Sequence, residues 1–246
     1  MKDVKNTLAD MLKHIPGQFE EIVITGTDKS TVIEASHKEK KFILIGKFKE
    51  PIEEFEGEFA LSSLSLLNGL LNFPSYKTDE AKFTIIKKER SGIPQVDVFE
   101  FKGKDGAKTR FKTIDPRFVN EGKRTSISNI PWDITIPLTK AKITEVSQLA
   151  GMLSEVDKMF GFLLEDGKLF LTIGGASEIM HQATILLAED ITKDVVNSGK
   201  FYSMGNLLAA LKTSTSFEVN ISFRGVIGIS FETDKMTYMY YIRGES

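Results

Sequence analysis

The chain has 246 residues, 41% of them hydrophobic and 27% charged, with a formal net charge of −2. The absence of cysteine removes disulfides, thiolate catalysis and cysteine-ligated metals, and there is no run of about 18 apolar residues for a membrane-spanning helix. Residues 1–130 carry a formal +2 and residues 131–246 a formal −4, so neither half is a basic or acidic tail and bulk attraction to nucleic acid is not expected. Lys2 and Lys5 lead into an amphipathic stretch rather than a signal-peptide core, so an intracellular location without membrane contact is expected.

In chain order, "MKDVKNTLADMLKHI" predicts a helix over about 3–15. Val4, Leu8, Met11, Leu12 and Ile15 form one stripe, and Lys2, Asn6, Ala9 and Lys13 run up the opposite side. "KFILIGKF" then reads as a strand, and a second helix follows over about 61–73. "AKFTIIKK", "VDVFEFKG" and "AKTRFKTI" alternate as three more strands, with glycine-containing turns that favour antiparallel hairpins. Residues 115–131, "DPRFVNEGKRTSISNIP", lack either periodicity and carry turn formers, which marks a connector between a first domain, 1–114, and a second, 132–246. The second domain opens with a strand over Trp132 to Pro137. A helix follows at about 141–156, then "ATILLA" as a strand, a helix at about 203–214, and the strands "FEVNISFRG", "IGISFETD" and "TYMYYIRG".

The two halves share one offset. A shift of 141 positions carries Leu8, Met11, Leu12 and Ile15 onto Leu149, Met152, Leu153 and Val156, Phe19 onto Phe160, Gly26 onto Gly167, and Leu66, Leu67 and Leu70 onto Leu207, Leu208 and Leu211. Two homologous domains are therefore expected, each with two helices whose apolar stripes lie on one face of an antiparallel sheet, an α+β architecture.

The opposite helix faces are small and polar: Ser65, Asn68, Gly69 and Asn72 in the second helix, Thr144, Gln148, Gly151 and Glu155 in the third, and Asn206, Ala209 and Thr213, flanked by Lys212, in the fourth. Solvent is the ordinary destination of a polar face. A face turned only to water, however, is usually built from Glu and Lys, which favour the helix, whereas Gly, Ser, Asn and Thr lower its propensity and keep the surface low. Asp3, Asp10 and Glu155 weaken any positive field there, and the acidic "KEPIEEFEGEF" must lie elsewhere for such a field to persist.

Catalytic patterns are weak. "GKDGAKT" lacks the second glycine directly before the lysine and sits between strands, so it reads as a hairpin turn. His14, His37 and His181 are widely spaced, "GGAS" (174–177) lacks nucleophile-elbow spacing, and Glu53 and Glu54 lie in a charge run. No enzyme activity, metal or cofactor is expected.

The order helix, strands, helix, strands, repeated across a long connector, resembles the sliding clamps of DNA replication, the trimeric processivity factors of phage, archaea and eukaryotes. "MKDVKNTLADMLK" looks like the start of the clamp of T4-like phages. "PWDITIPLTKAKITEVSQLAGMLSEVDKMFGFLLEDGKLFLTI" is similar to the opening of that family's second domain, "KFYSMGNLLAALKTSTSFEVNISF" to its last helix, and "TYMYYIRGES" to its closing strand. The resemblance spans nearly the whole chain and rests on order, spacing and helix faces.

It implies a homotrimeric ring of duplicated DNA-clamp domains, helices inside and sheets outside, that encircles double-stranded DNA without reading its sequence and tethers a DNA polymerase. An ATP-dependent clamp loader would be a further partner, and a phage protein would act in the cytoplasm of the infected host cell. By position, Lys2, Lys5, Lys13, Lys77, Lys140 and Lys212 are carried over as DNA-backbone contacts. Ring closure would pair an edge strand at 108–114, with Arg110, Phe111 and Lys112, with one at 182–188, with Thr184, Ile185 and Leu186. Either strand could instead be covered within its own domain. Partner peptides would dock on Ile127, Ile130, Tyr240 and Ile242, with Trp132, Tyr238 and Tyr241 as the core alternatives. The competing reading is a duplicated β-rich protein that binds a small molecule or builds a virion, which a stable monomer would favour.

Overall fold

The computed structural model describes the chain apart from residues 1, 91, 120–126, 128, 154–157, 175–180, 193–198 and 246, and apart from the side chains at positions 2, 3 and 90. Glu155, Val156, most of "GGAS" and much of the expected connector thus lie outside the described residues. The chain is mixed α and β and rich in antiparallel sheet. It divides into two compact units, one of residues 1–38, 44–125 and 232–238, the other of 39–43, 126–231 and 239–246.

In the first half of the chain α1 (Lys2–Lys13) precedes β1 (Glu21–Gly26), β2 (Thr31–Ser36), β3 (Phe42–Phe48) and β4 (Gly57–Ser62). Then come α2 (Leu64–Asn72), the single turn α3 (Pro74–Lys77), β5 (Lys82–Arg90), β6 (Ile93–Lys102) and β7 (Lys108–Lys112). The second half begins with β8 (Ile134–Leu138) and continues through α4 (Lys140–Leu153), β9 (Met159–Glu165), β10 (Lys168–Ile173), β11 (Ala183–Ala188) and β12 (Tyr202–Ser203). It ends with α5 (Met204–Leu211), β13 (Phe217–Ser222), β14 (Val226–Glu232) and β15 (Met236–Arg243).

The two runs have one topology. The strands after the first helix lie in the order β4-β1-β2-β3 in one case and β12-β9-β10-β11 in the other. In both, the fourth strand returns beside the first, as in a Greek key. A helix follows at once, and then three strands that are neighbours in sequence and in space, β5-β6-β7 and β13-β14-β15. A single gapless offset does not relate the two runs. Ile22 pairs with Leu61 and Phe160 with Tyr202, so Phe160 occupies the place of Ile22 rather than of Phe19. Gly26 ends β1 with the Phe55 carbonyl so close that a Cβ would lie 2.1 Å from its oxygen, whereas Gly167 forms the β9–β10 turn at φ +72°. The departure from the offset is present at the first strands themselves, since Glu21 and Met159 are 138 positions apart while their partners Ser62 and Ser203 are 141 apart.

Alternation builds the sheets. Every second residue of β1 and β2 is buried, which sends Ile22, Ile24 and Ile33 to the core with Leu8 and Met11 of α1. Phe59 and Phe99 meet edge to face at 6.2 Å, and Phe55, Phe83 and Phe111 surround Phe99. In the second unit Tyr240 lies between Phe42 and Phe231, 6.0 Å from each, and its hydroxyl meets the Thr213 hydroxyl at 3.0 Å.

Two apolar expectations fail. Residues 61–62 close β4 instead of opening a helix, and the helix that starts at Leu64 buries Leu64, Leu67 and Leu71 but leaves Leu66 57% exposed. Met152, aligned with the fully buried Met11, is 70% exposed on α4. In both helices the buried stripe starts from a different residue than the leucine pattern implied.

On β6 the nearly buried Glu100 carboxylate is held by Lys102 at 2.9 Å, Arg110 at 2.8 Å and Lys108 at 3.0 Å. Hydrogen bonds from Lys102 first, then Arg110 and Lys108, hold its pKa down to about 2. A depressed carboxylate pKa contributes stability that is present above its usual 4.5 and disappears as pH falls toward 2. Urea midpoints measured between these pH values should therefore fall more steeply for the wild type than for Glu100→Gln; parallel curves would show that the cluster contributes nothing.

Candidate nucleic-acid interface

The polar side of α1 forms one wall of a surface groove of about 600 Å³. Asn6, Ala9, Lys13 and His14 line that wall, and Thr233, Asp234 and Lys235, from the turn before β15, line the other. The turn is fixed by its backbone, since the Lys49 N–H donates to the Lys235 carbonyl at 2.9 Å and the Thr233 N–H to the Met236 carbonyl at 2.8 Å. The Lys235 ammonium donates to the hydroxyl of buried Thr7 at 2.9 Å and so ties the turn to the helix. Lys13 lies 3.5 Å from Asp10, and Asp234 stands beside Lys235, so the ammonium groups here are interleaved with carboxylates.

Lys5 is only partly exposed and donates to the carbonyl of Tyr76 in α3. Burial lowers its pKa, and the charge of Lys77 lowers it further. Lys5 and Lys77 therefore lie close enough to repel each other, with Lys77 exposed at the end of α3. Lys140 and Lys212 are exposed at the start of α4 and just after α5. Lys2 opens α1, and its side chain is outside the described set.

The remaining helix faces are exposed or half-exposed: Ser65, Asn68, Gly69 and Asn72 on α2; Thr144, Gln148 and Gly151 on α4; Asn206, Ala209 and Thr213 on or beside α5. A Cβ at Gly69 or at Gly151 would meet nothing within 4 Å. Neither glycine is required by packing, and neither has a positive φ.

Among the nominated edge strands, β7 is the last strand of the β5-β6-β7 sheet and β11 the last strand of the β12-β9-β10-β11 sheet. Arg110 and Lys112 point outward from β7 while Phe111 is buried; on β11 Thr184 is exposed, Ile185 buried and Leu186 half-buried.

The nominated peptide pocket is corrected by the structure. Tyr240 and Ile242 are fully buried, as is Tyr238, because β15 sends its even-numbered residues to the core. Burial drives the Tyr240 hydroxyl pKa well above its usual value, against a smaller opposing effect of the hydrogen bond with Thr213. Tyr241 faces the other way and stacks on Trp132 at 6.4 Å, and both rings are partly exposed. Ile127 and Ile130 are half-exposed.

Sequence reasoning missed Lys235, because a lysine in a four-residue turn has no periodic pattern, and only the fold brings it to Thr7. Among the described residues no group of three or more His, Cys, Asp or Glu side chains is placed to hold a metal ion, and no helix is long and apolar enough to cross a membrane. No protein-family model matches the chain, and no curated protein matches it.

Glycine in a helix interior costs about 0.5–1 kcal/mol relative to alanine. Since the Gly69 side is open, Gly69→Ala should raise the unfolding free energy by about that amount in urea denaturation. A loss of stability would mean that the surface is covered in the folded protein.

Proposed function

We propose that the protein is a DNA sliding clamp: a homotrimeric ring that encircles double-stranded DNA, slides along it without reading sequence, and tethers a replicative DNA polymerase after an ATP-dependent loader has placed it. The observation that carries this reading is the doubled topology, in which each run supplies two helices; the outer faces of α2 and α5 hold Gly, Ser, Asn, Thr and Ala, and those of α1 and α4 mix such small residues with a few charged ones. Low helix faces suit a surface along which a duplex passes, and glycines at positions where the fold does not need them fit that requirement.

Exposed Lys13, Lys77, Lys140 and Lys212 supply weak, exchangeable phosphate contacts in this reading. Lys5 acts differently, since its ammonium already serves the Tyr76 carbonyl. Ring closure joins β7 of one copy to β11 of the next. The half-exposed Trp132 and Tyr241, with Ile127 and Ile130, take the place of Tyr240 and Ile242 as the surface for a polymerase or loader peptide.

Topology separates this function from ordinary DNA binding. Loaded protein should persist on circular duplex DNA and be lost quickly after a single cut, whereas a groove binder held by phosphate contacts is indifferent to a distant cut. Equal retention on cut and uncut circles would refute the reading. In primer extension, Lys13→Glu with Lys212→Glu should shorten clamp-dependent products while leaving the thermal midpoint within about 1 °C, because exposed charges contribute little to stability. Unchanged product length would remove these two lysines from the channel.

A further inference from the structure

The β5-β6-β7 sheet has two unlike faces. Phe83, Phe99, Phe101 and Phe111 are buried on the side where Tyr76 of α3 packs against Phe101. The register sets the other side in three rows: Lys82, Lys102 and Lys108; then Thr84, Glu100 and Arg110; then Ile86, Val98 and Lys112. Five of these nine side chains are cationic and one is a carboxylate, on a chain whose formal net charge is −2. All five cations are exposed.

Such an arrangement costs stability. Lys82 stands directly opposite Lys102, and Lys102 opposite Lys108, and like charges in that relation repel. Glu100 offsets part of this by accepting from Lys102, Lys108 and Arg110 at 2.9, 3.0 and 2.8 Å. One carboxylate does not neutralise three cations, and no ion pair joins it to Lys82 or Lys112. The topology does not call for this charge, since the corresponding face of β13 and β14 pairs Glu218 with Ser230 and Asn220 with Gly228.

We propose that this face docks an extended acidic segment of a partner protein, with Glu100 holding the cationic heads in place for it. The site lies on one sheet of one unit and stands whether or not the chain forms a ring. Ring closure would use the backbone edge of β7, whereas the cations lie on its face.

Spacing and surroundings select the occupant. Residues two apart on a strand are about 6.6–6.8 Å apart, so Lys108, Arg110 and Lys112 present one cation at each such step. An extended peptide repeats at the same step, and carboxylates on its alternate residues meet the three cations in turn. The Arg110 Nε serves Glu100, which leaves the terminal nitrogens of the guanidinium for a second carboxylate. Half-exposed Ile86 and Val98, in the row of Lys112, give an apolar side chain of the segment a seat. A single-stranded nucleic acid would draw on aromatic rings to stack its bases, and the four phenylalanines of this sheet are all turned inward.

Fluorescence anisotropy on the full chain tests the surface. The probes are a labelled peptide of about twelve residues alternating Glu and Thr, the same peptide with Gln for Glu, and an oligothymidylate of similar length. The Glu peptide should bind and the Gln peptide should not. Lys82→Ala and Lys112→Ala should each weaken the Glu peptide about threefold and together about tenfold, with urea midpoints no lower than that of the wild type. Glu100→Gln adds a positive charge to the face yet releases the heads it holds, so it should weaken the peptide too. Tighter binding by Glu100→Gln would reduce the face to bulk attraction and overturn the array. Affinity unchanged in both lysine variants, or no binding of the Glu peptide, would overturn the surface. An oligothymidylate that binds more tightly than the Glu peptide and loses affinity in the same lysine variants would overturn the assignment to an acidic protein segment.

Discussion

The structure depends on how the fourth strand of each run returns beside the first. Glu21 at the start of β1 pairs with Ser62 at the end of β4, and Met159 at the start of β9 pairs with Ser203 at the end of β12. The strand that follows the first helix and the strand that precedes the second are thereby clamped together at the same end. Each helix has little choice of position: α1 must pack beside α2, and α4 beside α5. The backbone hydrogen bonds that fix this register are also the bonds that bury Ile22 and Leu61, or Phe160 and Tyr202, as facing pairs. Helix placement, core formation and sheet register are therefore one event in each unit.

The two copies of this arrangement solve their helix starts differently. Ser203 is extended and its hydroxyl accepts from the Asn206 N–H, an ordinary N-cap. Ser63, at the equivalent place, is left-handed at φ 53° and forms no side-chain cap. A left-handed residue turns the chain more sharply, and a non-glycine side chain there costs about 1–2 kcal/mol. The first unit accepts that strain and places the extra turn α3 after its helix, and α3 supplies the Tyr76 carbonyl that receives Lys5. The partly buried ammonium of Lys5 is thus tied to an element that has no counterpart after α5 among the described residues.

The candidate surface follows from the same geometry. Once the apolar stripes are spent on the core, what remains on the helices is what an approaching partner meets: small polar residues, a few lysines and, at two places beside free strand edges, large apolar side chains. Charge is not concentrated on the α1 groove, where Asp10 and Asp234 accompany Lys13 and Lys235. Under the proposed sliding-clamp reading, such a surface would hold a polyanion loosely, as movement along DNA requires.

Sequence by itself determined the kinds of element and their order, because period-two and period-3.6 patterns report which residues share a face. The stripe of α1, strands β3, β5 to β8, β11 and β13 to β15, and two successive runs of helix, strands, helix and strands were legible in it, whereas β1, β2, β4, β9, β10 and β12 were not singled out as strands. The sequence could not decide which face is covered. In "TYMYYIRG" the adjacent Tyr240 and Tyr241 offer an aromatic residue to either side, and only the pairing of β15 within its sheet sends Tyr240 to the core and Tyr241 outward. Leucine-rich α2 and the more mixed α4 likewise leave the rotation of the helix open, so the exposure of Leu66 and Met152 emerged only with their neighbours in place. Lys235 meets Thr7 across 228 positions of sequence. Contacts at such separations depend on the closed fold, where register and turn length choose one face and one partner among several that local pattern permits.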